Sequence, residues 1–236
     1  MKLHAIVAPT ITELFERQIQ GMILSGQVAP GERLPTEAEL AETLCVSKSA
    51  VHAGVKNLER MGFLRVVPRH GIYVADYTET GNVDTLIALL KYYDGKLDKA
   101  TTTSLLEARS ALEGLAMRKF IARRTQEDIH ELERIIAELR ELGRREPPVS
   151  PSELAELPCA FHRYICSKSG NNVVPLIVNG FHDVNIVLWT LWVRQVRAEE
   201  AAEMLEEFLY YIKVKDADNA IALFTQSAND FLVKLV

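Results

Sequence analysis

The stretch LPTEAELAETLCVSKSAVHAGVKNLERMGFLRVVPRHGIYV, residues 34–74, decides the fold of the first third of the chain. Thr36 followed three residues later by Glu39 has the spacing of a capping box, which predicts the start of a short helix. Ser47 has the residue type of a helix N-cap, and the helix that it opens is predicted to run to about Met61. Two helices joined by a tight turn are therefore expected at the centre of this stretch.

The flanks of these two helices complete a recognisable order of elements. An earlier helix is predicted from about Thr10 to Ser25, because its apolar residues recur at steps of three and four. Two strand-like runs, 63–67 and 72–75, follow the second central helix and are joined by the short tip 68–71. Helix, helix, turn, helix and a two-stranded wing are the pattern of a winged helix-turn-helix, which predicts contact with DNA.

The distribution of charge agrees with a DNA contact in this part of the chain. The 236 residues carry a net charge of −5, which argues against a uniformly basic nucleic-acid binder. Between residues 46 and 72, however, Glu59 is the one acidic residue, and such a local basic excess is expected where phosphates bind. The basic residues of that segment are Lys48, Lys56, Arg60, Arg65 and Arg69.

The remainder of the chain is predicted to be helical throughout. Helices are expected near 82–94, 101–122, 125–143, 151–168, 173–197, 199–214 and 216–234. The fold class is therefore mainly α, with a winged helix-turn-helix followed by an all-α bundle of seven helices. The predicted domains are a DNA-binding domain at 1–77, a linker at 78–84 and a ligand-binding and dimerisation domain at 85–236.

The most apolar run of the chain is predicted to be a buried helix rather than a membrane span. Val173–Val196 contains Asn179, His182, Asp183 and Asn185, which are costly in lipid. The three cysteines have no zinc-like spacing, and their odd number without a signal peptide favours a reducing cytoplasm. We therefore expect a cytoplasmic protein that makes no membrane contact.

The first domain resembles a known family. GERLPTEAELAETLCVSKSAVHAGVKNLERMGFL, followed by HGIYV, is similar to the N-terminal domain of GntR-type bacterial transcriptional regulators over roughly residues 9–77. The resemblance implies a homodimer on palindromic operator DNA, with the recognition helices in the major groove and the wing tips in the minor groove. The predicted DNA-binding residues are Arg33, Thr36, Glu37, Ser47, Lys48, Ser49, His52, Lys56, Arg69, His70 and Gly71.

This chain departs from the family pattern at three positions that commonly contact DNA. The family usually has arginine where this sequence has Ala38, Lys48 and His52. Ala38 cannot contact phosphate or guanine, and Lys48 keeps the charge without the two-pronged geometry of arginine. Weaker or altered DNA recognition is therefore expected, and a degenerate regulator that acts only as a protein-interaction module is the alternative.

The second domain resembles the effector domain of the FadR subfamily of these regulators. The similar segments are LLEARSALEGLAMR (105–118), AFHRYICSKSGN (160–171) and DADNAIALF (216–224). Many members hold a divalent metal with one aspartate and three histidines, and those positions fall here at Pro158, His162, Leu205 and Ser227. With only His162 retained, no metal or other cofactor is expected.

The loss of the metal ligands bears on the predicted effector. Metal-containing members tend to bind small carboxylates, whereas the fatty-acid regulator that gives the subfamily its name lacks the full set and binds acyl-CoA. Both ligand classes, acyl-CoA and a small organic acid, stay open. The predicted effector-binding residues are Arg109, His162, Asn179, Asn185 and Trp189, and the apolar lining offered to an acyl chain is Val184, Ile186, Leu188, Trp189, Leu191 and Trp192.

Several of these residues also have a purely structural interpretation. Glu113 and Glu107 are internal partners that Arg109 could use in place of a ligand, and His162 could be an ordinary core histidine. An enzyme is not expected, because the sequence has no nucleophile elbow, phosphate loop, HExxH helix or CxxC pair. The predicted function is a ligand-responsive transcriptional regulator that binds double-stranded operator DNA as a homodimer.

Overall fold

The structure, a computed structural model, describes residues 8–93, 95 and 97–235, the last four of them by their backbone alone. The chain divides into two compact units, residues 1–94 and 95–236. The ends of the two predicted domains, residues 1–7 and 236, lie outside the described residues. The fold class is confirmed: each unit is mainly helical, and the first one contains a small sheet.

The first unit has the predicted winged helix-turn-helix order. Its helices are α1 (Ile11–Leu24), α2 (Glu37–Thr43), α3 (Lys48–Arg60), α4 (Tyr77–Thr80) and α5 (Val83–Tyr92). Its strands are β1 (Arg33–Leu34), β2 (Leu64–Val67) and β3 (Gly71–Val74).

The predicted helix starts are confirmed by their hydrogen bonds. Thr36 and Glu39 form the expected capping box, since the Thr36 side chain accepts from the Glu39 N–H and the Glu39 side chain accepts from the Thr36 N–H. Ser47 caps α3 by accepting the N–H of Ala50. Thr10 caps α1 in the same way as Thr36 caps α2. These starts could be predicted because each depends on residues only three positions apart.

The sheet has one strand more than the sequence predicts. β1 pairs antiparallel with β3, and β3 pairs antiparallel with β2, in the order β1-β3-β2. A strand of two residues is too short to show an alternation of polar and apolar residues, so β1 could not be recognised in the sequence. Leu34 of β1 is nonetheless buried in the core of this unit, which anchors the strand beside the wing.

Helices α1 and α3 cross at a residue without a side chain. A Cβ atom at Gly54 would lie 2.3 Å from Cδ1 of Phe15, so glycine permits the close approach of the two helices. Phe15, Val51, Val55 and Leu58 are buried around this crossing, which places the opposite face of α3 towards solvent.

The segment predicted as a linker, 78–84, is instead largely helical. It contains most of α4 and the start of α5, and Ala88 of α5 belongs to the core of the first unit. The polar residues of this segment have a structural role, because their side chains cap the end of α3. Thr80 and Asn82 of this segment, and Thr85 directly after it, donate to carbonyls at the C-terminal end of α3: Thr80 to Gly62 (3.0 Å), Asn82 to Arg60 (2.8 Å) and Thr85 to Met61 (2.5 Å).

The second unit is helical over its described residues. α6 packs with α12, α7 with α11 and α8 with α10, around a core that contains the fully buried Phe120, Phe161 and Phe208. Its helices are α6 (Lys99–Arg123), α7 (Gln126–Gly143), α8 (Pro151–Lys168), α9 (Val174–Gly180), α10 (His182–Val193), α11 (Ala198–Lys213) and α12 (Ala217–Leu235).

The prediction of a single helix over 173–197 was wrong. Residues Val174–Gly180 and His182–Val193 form two helices that meet at an angle of 65°. Pro175 lies in the first turn of α9, where proline is tolerated, so Gly180 is the weakest helix former in the interior of this run, and the chain bends directly after it. No described helix is long and apolar enough to cross a membrane alone, and this bent pair reaches that length and apolarity only together.

Candidate DNA-binding face and candidate ligand cavity

The N-terminal end of α3 presents a cation and open backbone donors to solvent. Lys48 and Ser49 are exposed, and among the described residues no carboxylate pairs with the Lys48 ammonium. Because Ser47 caps only the N–H of Ala50, the N–H groups of Lys48 and Ser49 have no partner within the helix. Helix N-termini of this kind favour phosphate, and an adjacent ammonium strengthens the attraction.

Two other predicted residues of this face bind each other. Nδ1 of His52 lies 2.9 Å from Oε1 and 3.1 Å from Oε2 of Glu37. Glu37 is the first residue of α2 and His52 is the fifth of α3, so the pair bridges the two helices of the helix-turn-helix motif. His52 is 59% exposed and therefore still available to a partner.

The wing forms a second basic surface. Arg69 is exposed with a left-handed φ of 64°, and Gly71, two residues later, has a φ of 122°. A Cβ atom at Gly71 would lie 2.8 Å from Nε of Arg33, so the side chain of Arg33 lies along the base of the wing. The exposed His70 accepts the Tyr73 hydroxyl at its carbonyl (3.3 Å). Arg33 and Gly71 are thus neighbours, Arg69 and His70 lie on the same wing tip, and the role of these residues in DNA binding stays a prediction.

The remaining predicted residues of this face are engaged within the unit. Thr36 is occupied as the cap of α2, where its hydroxyl also donates to Glu39 (2.8 Å). The Lys56 ammonium lies 3.2 Å from Oε2 of Glu59, whose other oxygen accepts the N–H of Val66 (2.9 Å). Neither observation tests a role in DNA binding, and that role stays a prediction for both residues.

The second unit contains a buried cluster of charged and aromatic side chains. Arg109 of α6 donates from Nε to Oε1 of Glu113 (2.6 Å), one turn further along the same helix. Nδ1 of His162 on α8 lies 2.9 Å from Oε2 of Glu113, at ion-pair distance but without the alignment of a hydrogen bond. Of the two internal partners predicted for Arg109, Glu113 and Glu107, the structure shows Glu113, which is 5% exposed.

The charge of Glu113 is stabilised by its two neighbours. Burial alone would raise the pKa of this carboxyl group, but the charges of Arg109 and His162 outweigh burial and lower the pKa of Glu113 to about 2. Glu113 is consequently an anion at neutral pH. It compensates the Arg109 guanidinium, which would otherwise be a costly charge inside a helical bundle.

Aromatic rings enclose this cluster on several sides. The guanidinium carbon of Arg109 lies 5.0 Å from the ring centre of Trp189 and 5.4 Å from that of Phe224, at cation–π distances. The His162 ring contacts Trp189, Phe208 and Phe224 with centre-to-centre distances of 5.2–5.4 Å. The rings come from α8, α10, α11 and α12, so four helices fix the position of the polar groups.

Two cavities adjoin this cluster, and Arg109 lines both. The first has a volume of about 40 Å³ and the second of about 30 Å³. The first is lined by Leu106, Arg109, His162, Leu188, Trp189, Trp192, Met204, Phe208, Phe224, Ser227, Ala228 and Phe231. The second is lined by Leu105, Ala108, Arg109, Leu112, Glu113, Val178, Phe181 and Asn185.

The first cavity has unused hydrogen-bonding capacity. Nε2 of His162 and Nε1 of Trp189 are buried and have no hydrogen-bond partner among the described residues. Buried polar atoms are normally paired, so two orphans on one small cavity indicate a missing partner. Nε is also the one guanidinium nitrogen of Arg109 with a hydrogen bond to a described residue.

The predicted effector residues are only partly brought together. Arg109, His162 and Trp189 meet at the first cavity, while Asn185 lines the second. Asn179 is exposed on α9 and lines neither cavity, whereas its buried neighbour Val178 lines the second. Phe208 and Phe224 also line the first cavity and were not predicted to do so, since nothing local in the sequence shows which face of α11 or α12 meets α6.

The four positions that hold metal in related proteins do not form a metal site here. Pro158 and Leu205 have no side-chain donor atom, and both are buried. His162 is directed to Glu113, and Ser227 lines the first cavity. Within the described residues there is also no other group of three or more metal-ligating side chains. This donor set does not fit a divalent metal.

Each unit matches a family model. The model described as "Bacterial regulatory proteins, gntR family" matches residues 12–74, and the model described as "FCD domain" matches residues 104–229. The first match covers the winged helix-turn-helix, and the second covers the unit with the two cavities.

Several known proteins are similar to the chain. The transcriptional regulator LutR of Bacillus subtilis is 30% identical over 170 residues, which cover 72% of this chain and 72% of LutR. Mce2R of Mycobacterium tuberculosis is 36% identical over 109 residues, which are 46% of this chain and 45% of Mce2R. The match thus spans less than half of Mce2R.

A solved structure shares the fold over nearly the whole chain. This structure is described by the words "Lar controls the expression of the Listeria monocytogenes agr system and mediates virulence". It covers 98% of both chains with a TM-score of 0.66 and 14% sequence identity, a likeness that concerns the fold alone.

Proposed function

The chain belongs to the gntR family of bacterial regulatory proteins and carries an FCD domain, and from this premise we propose that it is a cytoplasmic, ligand-responsive regulator that binds palindromic operator DNA as a homodimer. The named relatives are transcriptional regulators, not enzymes. The first unit is proposed to bind DNA, and the second unit, which begins about ten residues later than the sequence predicts, is proposed to bind the effector and to dimerise.

The effector is proposed to bind at Arg109, His162 and Trp189. The observation that supports this site is the pair of unpartnered buried nitrogens, on His162 and Trp189, that share a cavity with the Arg109 guanidinium. An anion with more than one acceptor atom would accept from the Trp189 N–H and from the free donors of Arg109, whereas Nε2 of His162 donates to it only when the imidazole carries both protons. Of the two classes left open by the sequence, a small carboxylate fits this arrangement without any metal.

The size of the cavities supports the small ligand over the long one. About 40 Å³ is room for roughly three water-sized groups at about 10–15 Å³ each. An acyl chain would need the aromatic side chains to move apart. Of the six apolar residues predicted to line an acyl site, the first cavity includes Leu188, Trp189 and Trp192.

Mass spectrometry of small molecules that copurify with the folded protein tests the ligand class. A small organic acid is the expected result, and its calorimetric affinity should fall at least tenfold in Arg109→Met, which keeps the apolar stem. Arg118→Met, on an exposed arginine of the same helix, is the matched control and should bind normally. A copurified acyl-CoA, or equal affinity in Arg109→Met, would contradict the proposed site.

DNA binding is proposed to depend on Lys48 at the start of α3. Lysine can donate to O6 and N7 of guanine, and a good contact of this kind is worth about 1–3 kcal/mol of discrimination. Against duplexes enriched from a random library, at a fixed salt concentration, Lys48→Ala should bind about tenfold more weakly or worse. Lys91→Ala, an exposed lysine on α5, is the matched control.

The same titration addresses the alternative of a degenerate regulator. Ala38 and His52 stand where the family usually has arginine, which favours reduced sequence preference. Equal affinity for enriched and random duplexes would leave only nonspecific electrostatic binding and would support a protein-interaction role instead. A ligand that shifts operator affinity by about 1–3 kcal/mol would support coupling between the effector site and DNA.

A further inference from the structure

The contact between Glu37 and His52 defines the hydrogen-bonding state of a residue on the DNA-binding face. Both oxygens of Glu37 lie within 3.1 Å of Nδ1 of His52. An ionised carboxylate can only accept hydrogen bonds, so Nδ1 must carry the proton in this contact. In a neutral imidazole the other nitrogen, Nε2, then has a free lone pair and acts as an acceptor.

The position of this pair decides what the lone pair can meet. His52 lies one helical turn after Lys48 and one turn before Lys56, on the exposed face of α3. An acceptor nitrogen beside the Glu37 carboxylate repels a phosphate, which is itself only an acceptor. The partner of His52 should therefore be a donor, and the donors on base edges in the major groove are the amino groups of adenine and cytosine.

We propose that Glu37 is a positioning residue that holds His52 as a hydrogen-bond acceptor, and that His52 reads the amino group of an adenine or cytosine in each half-site. This inference rests on the proposed function, namely that this face contacts DNA. The inference predicts adenine or cytosine at the operator position that His52 contacts, whereas an arginine at residue 52 would favour guanine there. Lys48 should still favour guanine at a neighbouring position of the operator. The missing arginine at residue 52 then changes the operator sequence instead of only weakening binding.

The first test concerns the protein without DNA. The nitrogen-15 chemical shifts of the His52 ring at pH 8 distinguish the two neutral tautomers. The proton is expected on Nδ1 in the unmodified protein, and in Glu37→Ala it should return mainly to Nε2, as in free histidine. Glu42→Ala, on another exposed carboxylate of α2, is the matched control and should leave the shifts unchanged. A proton on Nε2 in the unmodified protein would overturn the inference.

The second test is selection of half-sites from a random duplex library at pH 8. The unmodified protein should enrich adenine or cytosine at one position, and Glu37→Ala should weaken that preference roughly two- to tenfold, the range of a single hydrogen bond. His52→Arg should change the preference at the same position to guanine. Glu42→Ala should reproduce the unmodified motif.

Two outcomes separate this inference from the function on which it rests. A defined motif that is identical in the unmodified protein and Glu37→Ala would contradict the role of Glu37 while supporting specific DNA binding. Failure of the unmodified protein to enrich any sequence would contradict the proposed function itself, and base reading with it, even where the tautomer is the expected one.

Discussion

Glu113 determines the chemistry of the cavity in the second unit. It is a buried carboxylate that binds Arg109 through one oxygen and faces His162 with the other. Because Glu113 compensates one positive charge, the cluster can stay folded without a ligand. The guanidinium still has unused donors, so it can stabilise the protein and bind an anion at the same time.

The first prediction concerns the pH dependence of stability. The folded pKa of Glu113 is about 2, below its usual 4.5, so its contribution is complete above pH 4.5 and is lost as the pH falls towards 2. The difference in free energy of unfolding between the unmodified protein and Glu113→Gln should shrink by about 3 kcal/mol across that range. Tryptophan fluorescence measures it, because Trp189 and Trp192 both lie in this unit.

The control for this prediction is another carboxylate on the same helix. Glu107 is exposed, and Glu107→Gln should give the same pH profile as the unmodified protein. A difference between the unmodified protein and Glu113→Gln that stays constant from pH 7 to pH 3 would contradict the assigned charge of Glu113.

A second prediction uses the orphan nitrogen of Trp189. Trp189→Phe keeps an aromatic ring beside Arg109 but removes the unpartnered N–H, so affinity for a small carboxylate should fall about two- to tenfold with little change in stability. Trp192→Phe, which removes the other tryptophan lining the cavity, is the control. Calorimetric titration provides the measurement, and equal affinities of the two variants would count against the hydrogen bond.

At the scale of elements, the crossing of α1 and α3 fixes the exposed face of α3. Alanine is normally favoured over glycine in a helix by about 1 kcal/mol. At position 54 we expect alanine to lower the free energy of unfolding instead. The added Cβ would lie 2.3 Å from Phe15, and overpacking typically costs about 1–3 kcal/mol. Hydrogen exchange of the α3 amides should therefore be faster in Gly54→Ala.

The neighbouring position supplies the contrast for this third prediction. Ala53 is exposed on the same helix, and Ala53→Gly should also accelerate exchange, by the cost of helix propensity alone. Adding a methyl group at residue 54 and removing one at residue 53 are thus both expected to accelerate hydrogen exchange in α3. Slower exchange in Gly54→Ala would show that the two helices can separate without cost.

A fourth prediction concerns the cap on the end of α3. The buried Thr85 hydroxyl donates to the Met61 carbonyl and accepts the Asn82 N–H (2.7 Å). Thr85→Val has nearly the same shape but leaves both backbone groups unpaired, which should cost about 1–3 kcal/mol. The exposed Thr78, whose hydroxyl binds only Asp76, provides the control variant Thr78→Val. Hydrogen exchange at the C-terminal end of α3 is the measurement.

These elements show what the sequence could and could not predict. Starts such as Thr36 and Ser47 were predictable because the cap and its partner are neighbours in the chain. The cap at the end of α3 was not, because its donors lie about twenty residues away and resemble an ordinary polar linker. Arg109 and Glu113 could be paired from their four-residue spacing, whereas the rings of Phe208 and Phe224 depend on how distant helices pack.

At the scale of the whole molecule, seven helices were predicted for the second domain and seven are described in the second unit. The two numbers agree because two differences between prediction and structure cancel. The helix predicted at 82–94 is observed as α5 (Val83–Tyr92) and belongs to the first unit. The helix predicted at 173–197 is divided in two by the bend after Gly180. The described part of the second unit therefore still has seven helices, but with a different membership.

The fifth prediction follows from the position of α5. A fragment of residues 8–93 retains the side chains that cap α3, whereas a fragment of residues 8–77 loses Thr80, Asn82 and Thr85. The longer fragment should unfold cooperatively on heating and the shorter one at a markedly lower temperature, as measured by circular dichroism. Equal melting temperatures would indicate that the first unit is complete at residue 77.

The cap also limits how this protein can exchange parts with its relatives. A hybrid that joined its first unit to the second unit of a relative at residue 78 would replace the side chains that cap the end of α3. Junctions placed after Tyr92 would carry these side chains along, and such hybrids should keep their DNA-binding module intact. The segment that such an exchange should move as one piece is then the helix-turn-helix together with residues 75–92 after its wing.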